Sequence, residues 1–558
     1  MKGTSNGITQ SAFSAIQTLC AVAFFLAIAI GGLAQAAPAV TPAPVYRIAG
    51  TVVNAVTGEP VPRATVAVLS ETNREMVQSV VTDNEGRFSL EGLAAGKYPL
   101  MASKRGFLTG FFEEHDGGFN SAIVTGEGQE TGDLVFRLSP GATLHGVVTG
   151  DGGDPVEGAS VMLFLKPKGH NPGIRITQAS NATTDDAGSY EFNDLAPGEY
   201  LLAVSAKPWF AMNRSAIGLR RRAESVANSA LDVAYPVTYF DSTTDESSAT
   251  RIVLIAGSRE EANINLRAAP ALHLTLEAPS KQGTPRAWPA LEQTIFGLPF
   301  PANPNMSTDS KATDSLEFSG IPPGHYQLRY GDPPHIAQMD AMNSQQIDPN
   351  LGVPTVAVSG SLRATSGFAI PETLNVILIP VDNTQGRAPL QANCVKGSFT
   401  LDAVLPGAWK LFAYIPDKTL SIGSISLGGR MQAGNSLTVR DKPVQVEAAV
   451  SLDDTQVKGF ARKAGKGLAG VMIVLVPRDP VAHDGEFRRD QSDSDGSFTL
   501  RDAAPGQYTV VAIEEGWELD WAQPEVIGRY LPKGVAVTVN DGSGKLMELP
   551  EGVPVQGR

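Results

Sequence analysis

Five times along this chain, an aromatic residue or leucine is followed ten residues later by Tyr or Trp: Phe88/Tyr98, Tyr190/Tyr200, Leu316/Tyr326, Phe399/Trp409 and Phe498/Tyr508. Two residues after each first member stands Leu90, Phe192, Phe318, Leu401 or Leu500, and five residues after it stands Leu93, Leu195, Ile321, Val404 or Ala503. The last four closing rings sit behind Pro-Gly-x, at Pro197-Gly198, Pro323-Gly324, Pro406-Gly407 and Pro505-Gly506, and the first keeps only Gly96. A flexible linker has no reason to hold such spacing. Fixed self-similarity marks an array of one structural unit.

Successive closing rings lie 102, 126, 83 and 99 residues apart, so each interval has room for one small domain with its own core. The expected units span 46–139, 140–268, 269–355, 356–452 and 453–558. Residues 1–36 read as a secretory signal, with Lys2 ahead of an apolar run from Leu19 to Leu33 and small Ala34 and Ala36 before a cut at Ala37; 37–45 is a linker. Export to the periplasm, cell surface or medium is expected. No later apolar run is long enough to span a bilayer as a helix. The formal charge of −14 argues against nucleic acid as a partner. Of the two cysteines only Cys394 lies beyond the signal, so no intrachain disulfide is expected in the exported chain.

The second unit shows how each one is built. Ala142 to Val148 reads as a strand, Gly150 to Pro155 as a turn and Ala159 to Leu165 as a second strand. An acidic turn follows (Thr184-Asp185-Asp186-Ala187-Gly188), matching Thr82 to Gly86 in the first unit and Ser494-Asp495-Gly496 in the fifth; Asp and Gly are turn formers. Alternation along the next strand places each opening aromatic and the Leu or Phe two residues on upon one inward face. The Pro-Gly pair is expected to reverse the chain with glycine at positive φ. Short strands with turns at this spacing predict an all-β fold: a tandem array of about five small antiparallel Greek-key β-sandwich domains. Helix is expected only as insertions, at 207–235, which carries Arg220 to Arg222, and at Pro524 to Leu531.

The Gly-x-Val opening, the Pro-x-x-x-Ala-x-Val strand (Pro60 to Val66, Pro155 to Val161), the Thr-Asp-x-x-Gly-x-aromatic turn and the Pro-Gly-x-Tyr turn together resemble the carboxypeptidase regulatory-like domain, a prealbumin-like (transthyretin-like) sandwich found in tandem in secreted bacterial proteins. Units one, two and five carry the resemblance best. Unit four carries it in its second half, and unit three keeps only Leu316 to Tyr326, with Asp314 where the turn glycine would stand. The resemblance implies an accessory module, near carbohydrate-binding-like folds, and a shared fold does not settle activity. Related pilin-type sandwiches carry a lysine to asparagine isopeptide bond assisted by a Glu beside the Tyr strand. No Glu stands two to four residues after any closing ring here, so no such bond is expected.

Catalytic patterns are thin. Metallocarboxypeptidase chemistry needs His-x-x-Glu and a further His; His483-Asp484-Gly485-Glu486 is in an expected loop, and His483 is the last histidine of the chain. Cys394 has no histidine within its unit to activate it. Asp490, Asp493 and Asp495 before Gly496 depart from the calcium-loop spacing and read as a turn. No metal or other cofactor is expected. Trp517, Trp521 and Tyr530 are the candidate binding residues, since a Trp pair with acids between it can stack on sugar faces; the rival reading makes the same segment a lid over its sandwich. The expected function is a non-enzymatic binding module for carbohydrate or glycopeptide at the cell envelope, with polysaccharide or a cell-surface protein as partner. The rivals are a structural, adhesin-like spacer and a carboxypeptidase-type metallopeptidase.

Overall fold

The computed structural model describes residues 44–116, 118–166, 176–211, 230–277, 289–302, 304–308, 315–331, 334–348, 351–365, 368–381, 387–416, 419–540 and 546–558. The segment 1–36 read as a signal, Asp314 and Arg220 to Arg222 fall outside them. The described chain is nearly all strand, a tandem array of small sandwiches.

In the first unit, Tyr46–Asn54 lies at the centre of one sheet, antiparallel to Arg87–Leu93 and parallel to the closing strand Leu134–Leu138. The opposing sheet runs Met76–Val81, Thr65–Leu69, Leu100–Ser103, Gly110–Phe111. The parallel pairing departs from a purely antiparallel expectation and recurs: Ala142–Thr149 with Arg259–Glu261, Leu272–Glu277 with Gln345–Ile347, Val356–Ala364 with Val444–Asp453, and Thr455–Lys463 with Leu546–Glu548. Each unit thus returns its last strand beside its first.

The opening glycine now has a reason. Gly50, Gly146, Gly360 and Gly459 are register partners of Phe88, Tyr190, Phe399 and Phe498. A Cβ at Gly50 would lie 2.2 Å from the Leu134 carbonyl oxygen, and one at Gly459 would lie 2.8 Å from the Phe498 ring. The third unit, which has lost the aromatic, has lost the glycine with it: Leu276 pairs with Leu316. Both strand positions changed together, which keeps the site filled.

The closing rings also follow one rule. Tyr98, Tyr200, Tyr326 and Tyr508 donate their hydroxyls to the carbonyl four residues back (Ala94, Ala196, Pro322, Ala504), and Trp409 donates Nε1 to Leu405, at distances of 2.7–3.2 Å. This corrects the expected turn at three of the four Pro-Gly pairs. Gly407 adopts positive φ, at 148°, but Gly198, Gly324 and Gly506 do not; a Cβ at Gly506 would stand 3.0 Å from the Tyr508 ring, so the glycine leaves room for the ring to fold back. Positive φ falls elsewhere, four residues after each opening member, at Gly92, Asp194, Gly320, Ala403 and Asp502. There a bulge shifts the register, for example between the pairs Tyr46↔Leu93 and Ile48↔Leu90.

The opening rings Phe88, Tyr190, Phe399 and Phe498 lie in buried clusters with their aliphatic neighbours, the closing rings lie in or pack against the same clusters, and Leu316 is fully buried. Two second sheets are apolar on both faces. Met162, Phe164, Leu201 and Tyr239 on the outer face of unit two pack against Ile295, Phe296 and Phe300 of unit three. In unit five Met472, Val474, Val511 and Ile513 are roofed by Ile527, Tyr530 and the segment from Trp517 to Leu531. That double burial explains the unbroken apolar runs Val161 to Leu165 and Val471 to Leu475. Helix in this roof is one turn, Pro524–Ile527, followed by a separate 3-10 turn at Leu531–Lys533. The 207–235 insertion lies mostly outside the described residues; within it, Val233–Ala234 is a strand paired with Ala269–Pro270.

Candidate functional site

The site is built where the first sandwich meets the fifth. After the strand Leu100–Ser103, the first unit extends an insertion from Lys104 to Thr125 that docks on Arg488–Gln491 and the acidic turn behind it. The acidic turns are held alike in all three units that have them. Thr82, Thr184 and Ser492 are buried and each hydroxyl accepts from one backbone amide (Ala64, Ala159, Val471) and donates to one carbonyl (Val61, Val156, Leu468). With the turn rigid, its next residue is aimed. Asp83 and Asp185 each accept two amides of their own turns on Oδ1, and Asp83 Oδ2 pairs with Arg87 four residues on within the same hairpin. Asp493 reaches across instead.

Asp493 Oδ1 accepts the Ala122 amide at 2.9 Å, and its Oδ2 pairs with Lys97 Nζ at 2.6 Å. The Ser494 amide donates to the Ala122 carbonyl, its hydroxyl accepts the Val124 amide, and Ser121 donates to the Ser492 carbonyl. Gln491 donates to Glu113 O and Ser121 Oγ and bonds His115 through its own oxygen. Arg489 and Arg501 pair with Asp116 and Glu71. Burial pushes the Asp493 carboxyl up, against the pull of Lys97. Asp490, which accepts the Thr499 amide at 2.6 Å, is pushed by burial up to about 7.

Between these contacts lies a cavity of about 480 Å³. Phe119, Phe487 and Trp521 supply its aromatic lining. Among its described lining residues, Arg74, Lys97, Arg488, Arg489 and Arg501 face Glu71, Asp490, Asp493 and Asp502. The Arg489 guanidinium is sandwiched 4.6 Å from the Phe119 ring centroid and 4.3 Å from that of Trp521. Arg488 reaches the fully buried Asp453 at 2.8 Å and donates to three carbonyls, at Gly485, Phe487 and Asp502. Rings and hydrogen-bonding groups around one hollow are what a small-ligand site needs.

Of the residues singled out in the sequence, Trp517 and Trp521 come to this seam and Tyr530 does not. Trp517 stacks on His115 at 5.1 Å and 11°, and donates Nε1 to the Gly470 carbonyl. Tyr530 is buried in the roof, where its carbonyl accepts from Gln556. Trp209 lies 86% exposed, its ring edge-on to Phe210. His483 and Glu486 bond each other at 2.9 Å, and Glu486 also accepts from Tyr508. Cys394 is buried in unit four, with its thiol pushed up by burial. Lys97, Phe119 and Arg489 go unnoticed in the sequence, and Asp493 is weighed there only as a calcium ligand and read as part of a turn. Lys97 and Asp493 stand 396 residues apart in sequence, and no local pattern joins them.

The sequence profile of the carboxypeptidase regulatory-like domain matches residues 47–137 and 143–232, so the first two units are tandem copies of that domain. No curated protein matches the chain. Among solved structures, the Bacillus anthracis TIE protein is similar over 91% of this chain and 74% of its own, at 11% identity and a TM-score of 0.16. A streptococcal ancillary pilin aligns over 52% of this chain and 100% of its own (11% identity, TM-score 0.20), and the minor pilin GBS52 of Streptococcus agalactiae over 43% and 100% (14%, 0.20). Scores this low carry no argument about arrangement or function.

Proposed function

We propose that this chain, whose first two units are carboxypeptidase regulatory-like domains, is an exported, non-enzymatic module that holds a saccharide or glycopeptide at the cell envelope in the cavity between its first and fifth sandwiches. The observation that carries this reading is the convergence of Phe119, Phe487 and Trp521 with charged and amide side chains around one hollow. Aromatic faces stack on the apolar faces of sugars while polar neighbours take their hydroxyls. The site sits on loops and strand ends positioned by rigid sheets, the usual place for recognition. The matched domain is regulatory by description, which favours binding over catalysis. No helix among the described residues is long and apolar enough to cross a membrane.

A glycan array with the chain from Ala37 onward tests this. Saturable binding that is lost in Trp521→Ala supports it. Absence of binding to every glycan favours the second reading, an adhesin-like spacer in which the seam is only a fastening. That reading draws support from the many direct contacts across the seam. Release of C-terminal residues from peptides together with stoichiometric zinc would restore the peptidase reading.

A further inference from the structure

Resting on the saccharide reading, we infer that the seam cavity selects acidic sugars, those carrying a carboxylate or sulfate. The whole chain is acidic, with 58 Asp and Glu against 44 Lys and Arg, yet this hollow gathers more cationic side chains than carboxyl groups. Three of its four carboxyl groups are, moreover, already engaged. Glu71 is paired with Arg501, Asp493 with Lys97 and the Ala122 amide, and Asp490 with the Thr499 amide. Burial keeps Asp490 protonated through mildly acidic pH, which removes one negative charge from the wall. Arg74 differs from the other cations: among the described residues it has no carboxylate partner, its guanidinium lying 5.8 Å from the Phe111 ring centroid. A planar guanidinium without an anion, at the edge of an aromatic-lined hollow, matches a sugar carboxylate or sulfate in geometry and charge. A neutral sugar offers that guanidinium no charge-assisted pair.

The test is binding of the chain from Ala37 onward, by calorimetry and tryptophan fluorescence, to oligogalacturonate, a sulfated oligosaccharide, a neutral cello-oligosaccharide, inorganic sulfate and polyglutamate. Oligogalacturonate or the sulfated chain is expected to bind at least tenfold more tightly than the neutral one. Arg74→Gln, at an exposed position, is expected to weaken the acidic sugars about tenfold and leave the neutral one unchanged, and Arg74→Lys to recover part of the loss. Equal affinity for neutral and acidic sugars, with Arg74→Gln silent, overturns the acidic selectivity and leaves the saccharide reading standing. Polyglutamate or inorganic sulfate matching the acidic sugars overturns the saccharide reading itself. No binding by any probe overturns both.

Discussion

A tyrosine hydroxyl and an absent side chain act together at three of the Pro-Gly turns, those of Gly198, Gly324 and Gly506. The ring folds back over the glycine so that its hydroxyl reaches a carbonyl four residues earlier, a bond worth about 1 kcal/mol net in a buried setting. Tyr200→Phe and Tyr326→Phe are therefore each expected to destabilise their units by about that much in chemical denaturation, with no change of fold by circular dichroism. The bulge position offers a paired test. Gly92 and Ala403 both stand at positive φ, 77° and 63°. Gly92→Ala is expected to cost about 1 kcal/mol, and Ala403→Gly to be neutral or to stabilise by about 0.5–1 kcal/mol, because a Cβ is strained in the left-handed region. An equal loss from both changes would show that packing, not φ, governs the site.

The joints between elements are where charge is buried. His273 lies between Asp232 and Glu317, at 2.7 and 3.0 Å; its bond to Glu317, with that to Asp232, holds its pKa above the ordinary value against burial. A histidine raised in the fold contributes stability that is complete below its unfolded pKa near 6.5 and is lost as pH rises through the folded value. Asp490 and Asp453 act with the same sign by the opposite chemistry. Their carboxyls hold protons to about 7 in the fold but only to about 3.9 when unfolded, so the folded state binds more protons across that window and stability falls as pH rises through it. Thermal unfolding is thus expected at higher temperature at pH 5.5 than at pH 8. Asp490→Asn, which keeps an acceptor for the Thr499 amide, is expected to narrow the difference; an unchanged difference in that variant would clear Asp490 of the effect.

For the whole molecule, the seam makes the first and last sandwiches neighbours. Removing one partner of a partly buried ion pair strands the other, which costs more than the pair itself contributes. Asp493→Ala leaves both Lys97 and the Ala122 amide without their partner. The expected result is early proteolytic cutting within Lys104 to Thr125 while the sandwich cores resist. Protection unchanged from the parent chain would mean that the stacking of His115 on Trp517 and the backbone bonds at Ala122 hold the seam without the carboxylate.

Periodicity determined the sandwich: the ten-residue spacing, the inward alternation of Phe88 with Leu90 and of Tyr98 with Leu100, and the turn glycine Gly86 are all local, and local geometry is legible in sequence. The same rule marked unit three as altered, though only the register showed why Leu276 and Leu316 replaced glycine and ring together. Tertiary structure alone decided the rest. The bulges hid behind residues as different as Gly92, Asp194 and Ala403, because a strained φ is imposed by pairing as well as by residue type. Trp517 and Trp521 announced themselves as large rings with acids between them, but what those rings face came from Phe119, His115 and Arg489. The seam joins groups nearly four hundred residues apart. Spacing along a chain carries information over a few turns and strands; which surfaces meet beyond that is settled by the packing of whole units.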